Sequence, residues 1–135
     1  ISSDPIASDL IPQGKADIVI AMEPMEALRY KHALAPDGWI VTASTPLINI
    51  PNYPELETIL AELKTFGNLN LIDAEGLAKE NKMPRSVNMI LLGAAAKALD
   101  LDIETLSESV ARVFGSKGEA VVEMNVNALK IGAGV

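Results

Sequence analysis

Residues 16–30 read ADIVIAMEPMEALRY, and this stretch decides the fold. One polar residue, Asp17, is followed by the unbroken apolar run Ile18-Val19-Ile20-Ala21. β-Branched side chains suit a pleated backbone. A run that is apolar at every position predicts a strand buried on both faces, as in a parallel sheet. Glu23-Pro24 then predicts a helix to about Leu34, because proline in the first turn has no needed N–H to lose. Glu23 and Glu26 lie near the positive end of that helix, Arg29 and Lys31 toward the negative end. A buried strand passing at once into a helix is the first half of a β-α-β unit.

Working outward, Ile1 to Lys15 reads as a connecting segment punctuated by Pro5, Pro12 and Gly14. On the other side, Pro36-Asp37-Gly38 is a turn signal, and Trp39-Ile40-Val41-Thr42-Ala43 predicts a second strand. A loop rich in Pro and Asn runs from Ser44 to Tyr53, and Pro54 opens the clearest helix. Its apolar residues Leu56, Ile59, Leu60, Leu63 and Phe66 form one stripe, with Glu55, Glu57, Glu62 and Lys64 outside it. Gly67-Asn68 ends it, Leu69-Asn70-Leu71-Ile72 predicts a third strand, and Asp73 caps a short helix through about Glu80.

The remainder predicts helices. Val87 to Leu99 is apolar on most sides and contains Gly93-Ala94-Ala95-Ala96, small residues that let two helices, or a helix and a sheet, approach closely. Asp102 caps the next helix, whose stripe is Ile103, Leu106, Val110, Val113 and Phe114; Gly115-Ser116-Lys117-Gly118 breaks the chain, and a last helix runs from about Glu119 to Ile131. The fold class is therefore α/β: a Rossmann-like open, mostly parallel sheet with extra C-terminal helices. Three short strands under so many helices leave apolar surface to cover, and we expect further strands, N-terminal to these or supplied by a partner.

The bulk composition narrows the function. With 135 residues the chain is one domain, and a hydrophobic fraction of 49% provides a real core. There is no cysteine, so these residues hold no disulfide, thiol nucleophile or cysteine-ligated cluster. A net charge of −7 repels phosphate backbones, and nucleic acid is not an expected partner. No apolar run approaches the roughly 18 residues that span a membrane. Ile1-Ser2-Ser3-Asp4-Pro5 has no signal-peptide pattern, so a cytoplasmic location is expected.

Candidate pocket or interface residues are Glu23, Glu26, Arg29, Thr45, Asn88 and Asn125. The first three lie on one face at the carboxyl edge of a strand, where α/β folds bind ligands; dipole complement and an i,i+3 ion pair is the plainer reading. Thr45 belongs to the strand-end stretch Thr42 to Pro46, which either lines a pocket or is a structural turn. Asn88 and Asn125 lie in apolar helical stretches and, if buried, need partners. Asp73 stands where dinucleotide folds place a ribose-binding acid, but without a G-x-G-x-x-G a helix cap is the better reading. Gly115-Ser116-Lys117-Gly118 has the residue types of a phosphate loop without its spacing or its preceding strand. His32 reads as a helix-end or surface residue. No catalytic set can be assembled.

The same opening stretch, with Glu23-Pro24-x-Glu26-Ala27-Leu28-Arg29-Tyr30 as its most specific part, resembles the gamma-type domain of 2-oxoacid:ferredoxin oxidoreductases. The likeness continues through Leu34-Ala35-Pro36-Asp37-Gly38, Thr45-Pro46, Tyr53-Pro54, Ile72-Asp73-Ala74 with Leu77-Ala78, Asn88-Met89-Ile90-Leu91-Leu92-Gly93-Ala94, and Glu123-x-Asn125-x-x-Ala128. Within the family, the Glu-Ala-Leu-Arg-Tyr form and Asp4-Pro5-Ile6 are most similar to beta subunits of the indolepyruvate type; pyruvate and 2-oxoglutarate types are the alternatives. The family domain begins with a strand, a glycine-rich turn and a basic Arg-Gly-Gly segment, none of which lies within these 135 residues. The resemblance therefore implies one gamma-type domain, residues 1–135, lacking its first strand and that turn.

The resemblance implies coenzyme A-dependent oxidative decarboxylation of a 2-oxoacid with reduction of ferredoxin. Thiamine diphosphate with Mg, iron–sulfur clusters of the 4Fe-4S type and coenzyme A would serve the complex, with no cofactor held by this chain. A larger thiamine- and iron–sulfur-binding subunit would be its partner, with ferredoxin reached through the complex. That partner would also account for the scarcity of polar residues on the helix from Val87. The competing reading is a free-standing Rossmann-like binding module; a complete small enzyme ranks below both.

Overall fold

The computed structural model describes residues 4–135; of the connecting segment read at the start, Ile1 to Ser3 lie outside the described residues. The elements are β1 (Ala16–Ala21), α1 (Pro24–Arg29), a 3-10 turn (Lys31–Ala33), β2 (Leu34–Ala43), α2 (Leu56–Leu63), β3 (Leu69–Ile72), α3 (Ala74–Glu80), α4 (Val87–Ala95), α5 (Ile103–Phe114) and α6 (Glu119–Ala133). Among the described residues the sheet has three strands in the order β1-β2-β3, and both pairings are parallel. The α/β, Rossmann-like open sheet read from the sequence is the fold observed.

The apolar run of β2 has the reason expected of it, because helices cover both faces of the sheet there; in β1 the burial read for both faces holds only in part, since Ile20 is 42% exposed. Ile40, Leu69 and Leu71 face α1 and α2, where Ala27, Ile59 and Leu63 complete one core. Val41, Ala43 and Ile72 face the other way, onto Ile90, Leu91, Ala94 and Ala128 of α4 and α6. Neighbouring residues of one strand thus serve opposite cores, as the two-residue strand period requires. Asn70 projects to the α4 side, and its side-chain amide donates to the Ala94 carbonyl at 3.3 Å.

Two boundaries differ from expectation, and one contact explains both. The helix read to about Leu34 stops at Arg29, and Pro36-Asp37-Gly38, read as a turn, lies inside β2. Leu34 already pairs with Ala16, so the sheet claims it and the helix must end earlier. Ile18 then pairs with Trp39, and the intervening residues of β2 are absorbed as a bulge. Gly38 permits this: a Cβ there would come within 2.9 Å of the Ala16 carbonyl oxygen and 2.7 Å of a Leu34 methyl. The Asn68 side chain braces the bulge by donating to the Asp37 carbonyl at 2.8 Å.

The helix expected over Val87 to Leu99 ends at Ala95, and its apolarity is satisfied within the chain. α4 lies between the sheet and α6, with Ile90, Leu91, Gly93, Ala94 and Ala95 buried. A partner is therefore not needed to explain its composition, contrary to expectation. The small residues do what their size predicts: a Cβ at Gly93 would strike the Leu129 carbonyl, and one at Gly132 the Ile90 carbonyl. α5 departs further. Of its expected stripe only Val110 is buried, while Val113 is 71% exposed. α5 leans chiefly on α6, and one neighbour covers only part of a stripe that curves around the helix.

Candidate functional site

In a parallel sheet every strand ends at the same edge, so the residues after β1, β2 and β3 converge there. Glu23, Thr45 and Asp73 follow the three strands in turn, at the edge where open α/β sheets place their ligands.

Glu23 is 6% exposed. Its extended backbone, φ −153° and ψ 155°, turns the side chain back over the start of α1. One carboxylate oxygen accepts from the Glu26 amide at 2.6 Å. The other accepts from the Met25 amide at 3.2 Å and from the Tyr53 hydroxyl at 2.5 Å. A buried carboxylate needs such donors, and here the amides freed at a helix N-terminus supply most of them. Burial, then the bond to Glu23, pushes the Tyr53 phenol up to about 12 from 10.0. Ionising Tyr53 would place two negative charges together in a partly dry site.

Beside Thr45 and Asp73 lies a cleft of about 420 Å³, walled also by Gly76, Lys79, Pro84 and Val87. Asp73 caps α3, accepting from the Gly76 amide at 2.9 Å, so the helix-cap reading is the one observed. Thr45 brings a hydroxyl, Asp73 and Glu75 carboxylates and Lys79 an ammonium to a wall completed by Ala78, Pro84 and Val87. A second cleft, about 280 Å³, separates α1 from α2; Arg29, Lys31 and Glu62 line it, and Lys31 and Glu62 form an ion pair across it. A third, about 440 Å³, opens at the amino end of β2 and β3 beside Trp39, Gly93 and Lys97.

The six residues singled out from the sequence do not form one site. Glu26 and Arg29 make an i,i+3 ion pair at 2.7 Å with both side chains about half exposed. Asn88 faces solvent. Asn125 is buried and donates within its own helix to the Val121 carbonyl at 2.7 Å. His32 is exposed, its ring 3.2 Å from the Arg29 carbonyl. Sequence reasoning missed Tyr53 and Lys79. Tyr53 carries no local sign of its role, since its partner lies thirty residues upstream.

Among the described residues no cluster of three or more His, Asp or Glu is placed to hold a metal ion. Iron–sulfur clusters need cysteine thiolates, and the chain has none, so its residues do not fit such a cluster. Among the described residues no helix is long and apolar enough to cross a membrane.

Over residues 1–135 the chain matches the family described as pyruvate ferredoxin/flavodoxin oxidoreductase. It is 30% identical to the indolepyruvate oxidoreductase subunit IorB of Pyrococcus horikoshii over 139 residues, 96% of this chain and 67% of that protein. It is 29% identical to the subunit IorB of Archaeoglobus fulgidus, covering 94% of this chain and 66% of that protein. The subunit IorB of Methanothermobacter thermautotrophicus is 30% identical, with 96% and 69% covered. The chain thus spans about two thirds of the length of these curated relatives.

Proposed function

This chain belongs to the pyruvate ferredoxin/flavodoxin oxidoreductase family, and from that premise we propose that it is a gamma-type domain of an indolepyruvate ferredoxin oxidoreductase subunit. The observation that carries the substrate is the likeness of nearly the whole chain to three subunits named for indolepyruvate. In this reading the complex decarboxylates an arylpyruvate oxidatively, transfers the acyl group to coenzyme A and reduces ferredoxin, in the cytoplasm. The chain contributes structure and shapes access to the active site, while a larger partner holds thiamine diphosphate, Mg and the iron–sulfur clusters. The lack of cysteine supports that division of labour.

A partner is supported by surface chemistry as well. Met22, Leu47 and Ile48 stand exposed near the carboxyl edge, and Leu10 and Ile11 are exposed in the N-terminal segment. Exposed apolar surface of this kind is covered when subunits assemble. Glu26, Arg29, Thr45 and Asn88 are the polar groups we propose on the partner-facing or pocket-facing surface; Glu23 and Asn125 act from behind it. We also propose that the sheet of this domain continues past β1, whose outer edge pairs with no strand among the described residues and whose Ile20 is 42% exposed.

Anaerobic reconstitution tests the proposal. The protein containing this chain is co-produced with its thiamine-binding partner, and coenzyme A-dependent reduction of ferredoxin or a viologen is assayed. Indolepyruvate, pyruvate and 2-oxoglutarate are compared. Turnover that requires both chains and prefers indolepyruvate is expected. Preference for pyruvate or 2-oxoglutarate overturns the substrate, and failure to form a complex or turn over any acid leaves the binding-module reading, which the 420 Å³ cleft favours.

A further inference from the structure

The segment between β2 and α2 runs over the carboxyl edge, yet among the described residues no backbone hydrogen bond ties residues 45–52 to the sheet or the helices. Its side chains do little of the work either: Leu47 and Ile48 are exposed, and Pro46 and Pro51 have no N–H to donate. Such a loop is expected to open easily. At its end, however, the Tyr53 hydroxyl donates at 2.5 Å to Glu23, a carboxylate buried to 6% exposure and already held by two amides of α1. The Tyr53 ring packs at the same time on the α1–α2 side of the core.

We infer that Tyr53 and Glu23 form a clasp, and that Tyr53 is the positioning residue that holds the far end of the β2–α2 loop against the start of α1; the near end is held at the sheet by the Ser44 amide, which donates to the Ile72 carbonyl at 2.8 Å. The acceptor is fixed before the loop arrives, because Glu23 is oriented by its amide donors and not by Tyr53. A hydrogen bond to a charged, buried acceptor is among the stronger ones a protein makes. Cap and clasp share one carboxylate, so the loop is coupled to the N-terminus of α1. This inference is independent of the substrate and the partner proposed above.

Limited proteolysis of the whole protein tests it, because a protease must draw the loop off the body whereas its unbonded amides exchange freely already. In Tyr53→Phe the ring and its packing remain and only the donor is lost. Chymotryptic cleavage after Leu47 is expected to quicken about tenfold, while the melting temperature falls little. Glu23→Gln, which removes the carboxylate acceptor at nearly constant volume, is expected to quicken the same cleavage. Because one bond carries both effects, the double variant is expected to quicken it less than the two changes combined. Unchanged cleavage in Tyr53→Phe would mean that ring packing alone holds the loop, and it overturns the inference. Strict additivity, or faster cleavage only in step with a large fall in melting temperature, overturns it as well.

Discussion

Replacing Gly93 by alanine should destabilise the protein by about 2 kcal/mol, although helix propensity alone argues the other way. In an exposed helix interior the change gains about 0.5–1 kcal/mol. Here the new methyl would strike the backbone carbonyl of Leu129 on α6, with the Ala133 nitrogen only 2.9 Å away. Backbone atoms cannot swing aside as a side-chain tip does, so α4 and α6 must part. A gap of 0.5–1 Å forfeits about a quarter to a half of each dispersion contact it opens, and overpacking of this kind costs about 1–3 kcal/mol. The surrounding core is dense, with Ile90, Leu91, Ala128 and Leu129 all buried, so the upper part of that range applies before the propensity gain is subtracted. Urea unfolding followed by circular dichroism is the assay. With a slope of about 2 kcal/mol per molar, the midpoint should fall by about 1 M. Gly132→Ala meets the Ile90 carbonyl at the same crossing, and the double variant should cost less than the sum, since one separation makes room for both methyls. Gly115→Ala is the control: nothing lies within 4 Å of a Cβ there, and its midpoint should hold or rise. A midpoint for Gly93→Ala equal to or above that of the parent would refute the close-crossing argument.

Three further outcomes follow from the same structure. The Tyr53 phenol, raised from 10.0 to about 12, contributes stability that is whole below pH 10 and lost as pH climbs toward 12; in Tyr53→Phe the alkaline fall in stability should be shallower, and ultraviolet titration of the parent should show a tyrosine ionising near 12. Asp102 caps α5, and the Thr105 amide holds its carboxyl below the usual 3.8. Its contribution is therefore present above pH 3.8 and lost as pH falls through the lowered value, so the melting curves of the parent and Asp102→Ala should differ at neutral pH and converge in acid. Arg29→Ala removes a half-exposed ion pair and should cost under about 0.5 kcal/mol of intrinsic stability. If Arg29 faces the partner as proposed, complex formation in an analytical ultracentrifuge should weaken visibly, and equal small losses in both would assign it to the ion pair alone.

Much of this architecture was legible in residue order because the relevant forces are local or periodic. An apolar run at every position marks strands covered on both faces, as Ile40 and Val41 demonstrate by facing opposite cores. Asp73 and Asp102 announce helix starts because a cap acts within one turn. The glycine and alanines after Leu92 announce a close approach because only absent side chains allow one. What the sequence could not decide depends on partners distant along the chain. Whether Pro36-Asp37-Gly38 turns or bulges is settled by the pairing of Leu34 with Ala16, and that pairing also decides where α1 ends. The apolar surface of α4 read as a claim on another subunit until α6 was seen to occupy it. Glu23 reads in the sequence as a candidate pocket residue or a dipole complement at a helix start, and it is a buried hub because the fold returns Tyr53 to it across thirty residues. Spacing along one element can be read directly, but the neighbour a side chain meets across the fold is fixed by the simultaneous packing of all the elements.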